Sequence, residues 1–505
     1  MKSVCSLFFL LLLAAQSSVF AEDAPTLLAR LLLEKGAITA SDFARIESAS
    51  TQDRVALLAT MLEAKGVLSN RELAQITGTP REAMATEARL IPAVYTGTPV
   101  GAAPAQAAAS RTGQAVKAPE APPVTSQSKF PVTLYGTVLF NAFYDTALTN
   151  IQDVPLLAAK QGTDALGNDK SLGMTARQSR LGLRYQGGEV AGAKLSGQVE
   201  MDFFGGKAAL GNGISMDLLR LRLAFGRLDW TNFALEAGQD WSVFAPLNPT
   251  SLASFAIPAM SGSGNPWIRS PQFRAELHSA LTGTNVAQLQ LAATDPDVGD
   301  YQTAQFLTVR TPSTGERGRM PALDTRLAFT NRATGRDFTF GLSGHYGRGK
   351  NAGVIGSLTF QRPVDSWGVA VDYSLPVTRK FILTGEAYEG RALGIFSVST
   401  GESVLPIGTA GEHGVESRGG WIQAQFNFTP RWQTNISYGL DAQNVNNLRV
   451  GDRDKNQTYM ANLLYKLSPS VTFAWEYRRF LTHFRNQRTA NENGDHVNMA
   501  VGYVF

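Results

Sequence analysis

Three patterns in the sequence predict a closed barrel of sixteen antiparallel β-strands that spans a membrane. Between Phe130 and Phe505, short runs alternate apolar and polar side chains with the two-residue period of an extended strand. Short and long connections also alternate along this region, as in a barrel with tight turns at one end and loops at the other. The last run, 496–505, finishes on an aromatic residue. A spanning sheet has to close, because hydrocarbon cannot pair its backbone groups.

Residues 1–21 have the organisation of a secretory signal peptide. Lys2 gives a positive start, an apolar run covers 7–15, and Ala21 is a small residue at the cleavage position. The run is too short to span a bilayer, and no second apolar stretch of about 18 residues follows in the sequence. The single cysteine, Cys5, belongs to this segment, so we expect no disulfide, thiolate metal site or cysteine nucleophile in the mature chain.

An internal repeat predicts a small all-α module over 22–90, followed by a linker. Within 25–78, a Leu-rich segment ending in Lys-Gly recurs at an offset of 30 residues, and so does the polar segment after it. In the first unit Thr39 starts a second helix, with Asp42 at the reciprocal capping position. Such small units bury little apolar surface alone, so we expect their leucine faces to associate, with a soluble spacer as the alternative. Residues 91–129 contain six prolines and many alanines, which predicts an extended Pro/Ala-rich linker.

The remaining region, 130–505, is predicted to form the barrel. The sixteen strands are expected at 132–144, 178–186, 195–203, 219–225, 233–241, 272–279, 285–294, 322–330, 337–346, 366–375, 380–389, 419–429, 432–441, 455–465, 471–480 and 496–505. In the fourth strand, Leu219, Leu221, Leu223 and Phe225 are expected on one face. Long connections are expected at 146–172, 242–271, 295–321, 390–418 and 482–495. Aromatic residues near strand ends predict two interfacial girdles: Tyr144, Tyr185, Trp230, Trp241, Trp367, Trp421, Trp432, Trp475 and Tyr503.

Sixteen strands enclose an aqueous lumen that is too wide for side chains alone to fill. A guanidinium on the lipid face would cost about 2–4 kcal/mol at the bilayer midplane, so the alternation predicts that the strand arginines face inward. One interpretation is a lattice of arginine–carboxylate pairs that only stiffens the wall. The other requires unpaired arginines, which bind carboxylates bidentately and raise the local concentration of anions. The inward candidates are Arg180, Arg184, Arg220, Arg222, Arg274, Arg326, Arg478, Glu200, Asp202, Glu236, Asp240 and Glu276.

The final strand resembles the closing strand of bacterial outer-membrane barrels, in which a terminal Phe helps the assembly machinery recognise its client; an ordinary soluble sheet is the alternative. Five segments also match, in order, the DcaP-like porin family. The match covers Phe130 to Phe505 and is strongest to about residue 276. The segments are Arg177-Gln178-Ser179-Arg180-Leu181-Gly182-Leu183, Glu200-Met201-Asp202-Phe203, Arg220-Leu221-Arg222, Ala237-Gly238-Gln239-Asp240-Trp241 and Arg269-Ser270-Pro271-Gln272.

This resemblance implies a trimeric sixteen-strand channel of the outer membrane with a helical N-terminal extension and a preference for dicarboxylate anions. The paired hairpins predicted here differ from a plain coiled-coil extension. In porins the third long loop folds inward and narrows the pore, so by analogy Arg269, Arg274 and neighbouring acids would form the constriction. The expected partners are outer-membrane lipid, small anionic solutes and two further copies of the chain.

The composition argues against several other functions. Formal net charge is +4 from 46 basic and 42 acidic residues, a near balance that does not favour nucleic acid as a partner. The five histidines have no metal-ligand spacing, so we expect no metal and no cofactor. A barrel enzyme would need a His near a Ser, and His278 and His345 have no matching serine motif. We therefore predict a non-enzymatic porin, with a general or phosphate-type porin that anchors the outer membrane to peptidoglycan through 25–78 as the alternative.

Overall fold

The computed structural model describes residues 29, 33, 39–49, 131–160, 170–206, 217–281, 283–296, 311–333, 335–355, 358–394, 401–486 and 492–505. The predicted signal peptide, the second helical repeat and the linker 91–129 lie outside these residues. The chain divides into two compact units, 1–99 and 100–505. In the first unit, helix α1 (Ala40–Glu47) starts after Thr39, and Thr39 and Asp42 form the predicted reciprocal cap. No helix among the described residues is long and apolar enough to cross a membrane.

The second unit is one antiparallel sheet, and its strands follow the predicted order. They are β1 (Val132–Asp145), β2 (Ser171–Thr175), β3 (Arg180–Val190), β4 (Ala193–Asp202), β5 (Arg220–Asp229), β6 (Phe233–Trp241), β7 (Arg269–Ala280), β8 (Asn285–Thr294), β9 (Ala322–Asn331), β10 (Phe338–Ile355), β11 (Leu358–Leu375), β12 (Phe381–Arg391), β13 (Glu416–Asn427), β14 (Trp432–Gln443), β15 (Arg453–Lys466), β16 (Val471–Phe484) and β17 (Glu492–Val504).

The sheet closes through β1. This strand pairs with β17 from Thr137↔Val504 to Asp145↔His496. On its other side it pairs with β3 as far as Thr137↔Arg180 and with β2 from Asn141↔Thr175 onward. Strands β2 and β3 are therefore two halves of one wall position, interrupted at 176–179. The seventeen strands make a barrel with sixteen positions, which confirms the predicted sixteen-strand barrel.

The hairpin formed by β10 and β11 is longer than the alternation predicted. The sequence placed its strands at 337–346 and 366–375, but the ladder continues to Ile355↔Leu358. The segment 347–365 is therefore mostly paired strand that extends the wall at the end where the long loops lie. We call this end the loop end, and the opposite end the turn end.

The two faces of the barrel differ as the alternation requires. Large apolar side chains such as Leu342 and Val369 are exposed on the outer face, and charged or amide side chains are buried on the inner face. Strand β5 departs from this rule because its register shifts opposite Glu200 and Met201. The extra residue turns Leu223 and Phe225 inward, where they are 6% and 8% exposed, although Leu221 stays outside at 49%. The predicted common face of these residues is wrong because a bulge changes the phase.

Two girdle assignments also differ from the prediction. Trp421 is 3% exposed and its indole nitrogen donates a hydrogen bond to Glu386 at 3.0 Å, so it faces the interior instead of the membrane. Trp241 is a second departure, because it packs beside Trp267 of the following loop with 5.9 Å between ring centroids. By contrast, Trp367, Trp432 and Trp475 are exposed on the outer face, as expected.

Candidate functional site

The long connection 242–268 folds into the barrel, and we call it the lumen loop. Its hydrogen bonds follow the inner wall. Ser242 donates to Asp324 on β9 at 3.0 Å, and the Leu247 N–H donates to Glu386 on β12. Farther along, Thr250 N–H donates to Gln423 on β13 at 2.8 Å, and Ser251 donates to Glu476 on β16 at 2.6 Å. The loop thus folds inward and is bonded to the inner wall from β9 to β16.

Glycines allow the lumen loop to lie backbone against backbone on β13 and β14. Gly264 has a positive φ of 95°, and a Cβ there would lie 2.2 Å from the carbonyl oxygen of Gly420. A Cβ on Gly439 would lie 2.2 Å from the carbonyl oxygen of Ser263. Any side chain at these positions would push the loop away from the wall.

Gln178, between β2 and β3, holds residues 253–256 of the lumen loop. Its side chain is fully buried. Oε1 accepts hydrogen bonds from the backbone N–H groups of Phe255 (2.8 Å) and Ala256 (2.9 Å). Nε2 donates to the carbonyl of Ala253 at 3.0 Å and to Asn141 at 3.2 Å. The sequence analysis quoted Gln178 within a family motif but gave it no role; its only local signal is an amide at an inner-face position.

Most predicted lumen arginines are bound to carboxylates. Arg222 donates to Glu200 at 2.7 Å and to Asp202 at 2.9 Å, and Arg220 contacts Asp202 through two nitrogens at 3.0 and 2.6 Å. Both arginines also donate to the Ala256 carbonyl of the lumen loop, at 2.8 Å from Arg220 and 3.2 Å from Arg222. These contacts fix the wall and the loop together.

The same pairing recurs elsewhere on the inner wall. Arg326 donates to both carboxylate oxygens of Asp372 at 2.9 and 2.7 Å, and Arg478 donates to Glu476 at 2.6 Å. Each of these two arginines therefore has its own carboxylate.

Toward the turn end, the wall of β5–β7 is acidic. Arg274 lies 2.6 Å from Glu236, 3.1 Å from Asp240 and 2.8 Å from Glu276. Arg227 contacts Asp229, Glu236 and Glu276 in turn. Because these two arginines share four carboxylates, Arg274 contributes no excess positive charge to the lumen.

Three predicted arginines differ, because no carboxylate neutralises them closely. Arg180 lies over the Phe255 ring at 3.5 Å and donates to the Phe255 carbonyl, with the nearest carboxylate oxygen, on Glu200, 4.0 Å away. Arg184 lies over the Tyr135 ring at 4.1 Å. Arg269 is 4.9 Å from the ring centroids of both Trp241 and Trp267, and one of its terminal nitrogens has no hydrogen-bond partner. Within the described part of the chain, neither Arg184 nor Arg269 has a carboxylate within 4 Å.

A cationic excess therefore surrounds one part of the lumen loop. Arg269 lies within electrostatic range of Arg180, Arg220 and Arg222. Arg177 is nearby as well, because it and Arg220 both stack on Phe204, and it is paired with Asp153. These five arginines contact three carboxylates, Asp153, Glu200 and Asp202, so two positive charges remain uncompensated by direct contacts.

His345 has a serine and an aspartate as neighbours, which the sequence did not show. Nδ1 lies 2.6 Å from Asp324 and Nε2 lies 2.9 Å from the Ser366 hydroxyl. Ser366 donates in turn to the Ala392 carbonyl at 3.0 Å and is 1% exposed. The hydroxyl proton is thus engaged and no solute reaches the oxygen, so this chain of groups orients Asp324 for its bond to Ser242. No group of three or more metal-ligating side chains occurs among the described residues.

No protein-family model matches the chain, and no curated protein is similar to it in sequence. Among solved structures, the outer membrane channel DcaP of Acinetobacter baumannii superposes with a TM-score of 0.56 and 20% identity over 76% of this chain and 99% of that chain. The anion-selective porin from Comamonas acidovorans (0.45; 15%; 75% and 100%) and Salmonella typhi OmpF in complex with daunomycin (0.44; 14%; 75% and 99%) are more distant in fold. The resemblance predicted from the motifs is confirmed as one of architecture: this chain has the sixteen-strand barrel fold of the DcaP channel.

Proposed function

We propose that the protein is an outer-membrane porin through which small hydrophilic solutes diffuse passively, with anions preferred. The apolar outer face, the closed sixteen-strand wall and the narrowed lumen support a channel. The cationic excess beside the lumen loop, above all at Arg269, carries the preference for anions.

Paired and unpaired arginines act differently on a passing ion. A guanidinium in contact with its own carboxylate presents a dipole, whose field falls off steeply with distance. An unpaired guanidinium in a narrow, low-dielectric wall presents a full charge and two parallel N–H donors that fit a carboxylate. Arg180, Arg184 and Arg269 each stack on an aromatic face, which supports a cation without neutralising it. Several such positive charges suit a solute with two carboxylates, which fits the dicarboxylate preference implied by the sequence motifs.

The decisive experiment measures reversal potential across a planar bilayer in a potassium chloride gradient. The native protein should be anion-selective. Arg269→Gln and Arg184→Gln should each shift the reversal potential toward cations, and the double variant should shift it further. Arg418→Gln is the matched control, because it removes the same charge from the outer face of β13, away from the lumen. Native protein without conductance would refute the channel, and equal potentials for native and double variant would refute the role of these arginines.

The N-terminal assignment is a separate proposal. We infer that 22–90 forms a periplasmic module that associates with other copies or with peptidoglycan, while 91–129 spans the distance to the barrel. Removal of 22–129 from the mature chain tests this. Trimers that persist in detergent would assign trimerisation to the barrel, and loss of sedimentation with peptidoglycan would assign anchoring to the module. Retained sedimentation would refute the anchor.

A further inference from the structure

A cavity lies on the inner wall at the turn end of β3, β4 and β5. Its volume is about 250 Å³, and its lining includes Arg184, Gln186, Ser196, Gln198 and Phe225. Sites for drug-sized ligands measure roughly 300–1,000 Å³, so this cavity suits a smaller solute. We call it the turn-end cavity, because the arginines that contact the lumen loop lie nearer to the loop end on the same strands.

The strand register places the lining side chains together on the lumen side. Arg184 stands directly opposite Gln198, and Gln198 stands directly opposite Phe225. Side chains opposite each other on antiparallel strands share a face, with Cβ atoms about 4.5–5.5 Å apart. Because Phe225 is buried on the inner face, Arg184 and Gln198 face the lumen beside it. The next inward pair toward the turn end is Gln186 opposite Ser196.

The polar groups of the turn-end cavity are not used by the protein itself. Arg184 stacks on the Tyr135 ring at 4.1 Å, but its guanidinium makes no hydrogen bond within the described part of the chain. The same holds for the side chains of Gln186 and Ser196 among the described residues. Gln198 donates from Nε2 to the Tyr135 hydroxyl at 2.5 Å, and its Oε1 is available as an acceptor. By contrast, the buried amides that hold the lumen loop are bonded to it.

The charges around the turn-end cavity suit one carboxylate but not two. Arg184 has no carboxylate within 4 Å among the described residues, so its charge is available to a solute. Arg227, which stands opposite Ser196, already contacts three carboxylates of β5–β7. A second carboxylate pointing toward β5 would approach these negative groups, which repel it. A hydroxyl in that direction would instead meet Gln186 and Ser196, which can both donate and accept hydrogen bonds.

We propose that the turn-end cavity binds a small carboxylate that carries several hydroxyl groups, of the sugar-acid class. The Arg184 guanidinium binds the carboxylate. Gln186, Ser196 and Gln198 pair with the hydroxyls, and the ring of Phe225 covers part of the carbon skeleton. The inference rests on the proposed function and deepens it, because it names a solute class for the lumen and a second binding site between the lumen loop and the turn end.

Saturation-transfer NMR on the full-length protein in detergent micelles tests this with gluconate. Sorbitol, which lacks the carboxylate, and succinate, which lacks hydroxyls, should not displace gluconate at equal concentration. Arg184→Gln should weaken gluconate binding about 10- to 100-fold, because a charge-assisted pair is lost. Gln186→Leu/Ser196→Ala removes no charge and should weaken it roughly tenfold. The control Gln425→Leu/Gln433→Leu removes two amides from the inner face of β13 and β14 and should bind gluconate like the native protein.

Three results would overturn the turn-end site. These are no gluconate signal above that of empty micelles, equal gluconate binding by native protein and both cavity variants, and displacement of gluconate by equal sorbitol or succinate. Reversal potentials separate this inference from the proposed function, since Gln186→Leu/Ser196→Ala should keep the native selectivity. A native protein that binds gluconate but does not conduct would refute only the channel, and one that conducts anions without binding gluconate would refute only this site.

Discussion

Replacing Gln178 by leucine should open the lumen without unfolding the barrel. The native side chain makes four hydrogen bonds, of which three go to the backbone of 253–256 in the lumen loop. A buried backbone group left without a partner costs about 1–3 kcal/mol, whereas a hydrogen bond that can be exchanged for water contributes about 0.5–1.5 kcal/mol net. The loop can leave the wall and form these hydrogen bonds with water instead, so each lost bond costs about 0.5–1.5 kcal/mol. Three lost bonds then favour release by about 2–4 kcal/mol, or roughly 30- to 1000-fold.

Single-channel conductance in planar bilayers is the assay. We expect Gln178→Leu to show a larger or flickering conductance and weaker anion selectivity, because 253–256 also holds Arg180, Arg220 and Arg222 through its carbonyls. Gln178→Glu keeps the two accepted bonds and should lie between native and leucine. Gln425→Leu, on the inner phase of β13, repeats the chemistry at a side chain bonded to Asn427 instead of the loop. Native conductance in Gln178→Leu would refute the reasoning.

Two further predictions concern the lumen loop and an outer loop. Gly439→Val should displace the lumen loop and raise the conductance, since its Cβ would lie 2.2 Å from the Ser263 carbonyl oxygen, whereas Gly188→Ala, with no atom within 4 Å, should behave as native. In the outer loop, the Gly408 N–H donates to Glu412 at 2.7 Å, and this bond holds the pKa of the Glu412 carboxyl below its usual value. A lowered carboxyl pKa stabilises the loop at neutral pH, and the stabilisation is lost as pH falls through it. The protection factor of the Gly408 amide, which compares its exchange rate with the intrinsic rate at the same pH, should therefore fall in acid, and Glu412→Gln should already show low protection at neutral pH; an unchanged protection factor in both cases would contradict this.

The sequence was sufficient to predict the strands because one physical contrast sets their period. Lipid on one side and water on the other impose the alternation on every strand, and each predicted strand is present. The alternation rule gave the wrong face where a strand is irregular or where an aromatic side chain has a polar partner inside the barrel. The bulge at Arg222 shifted the phase of Leu223 and Phe225, and Trp421 found a polar partner inside the barrel. Neither departure can be recognised from the sequence of its own strand, because each depends on residues of the neighbouring strand.

The lumen loop shows where sequence reasoning ends. Its inward fold followed from analogy, but its route depends on partners far away in the chain. Ser263, for example, bonds to Thr458, 195 residues later. No periodicity links such positions. The buried amides that receive the loop, Gln178 and Asn141 among them, occupy inner-face positions where any polar residue would fit the pattern. Only the folded barrel distinguishes an amide that holds the loop from one that faces water.

The same limit applies to the arginines, and it explains why the two interpretations of them do not compete. Alternation places a guanidinium inside the barrel but does not say whether a carboxylate on the next strand reaches it. Arg222 and Arg326 have such neighbours and form ion pairs with them. Arg184 and Arg269 have aromatic rings instead, which support a cation without neutralising it. For the proposed channel, this means that the ion pairs hold the lumen loop in place and the stacked arginines supply the positive charge beside it. An anion-selective pore would need both, because unpaired cations attract anions effectively only where the wall keeps them close to the solute's path.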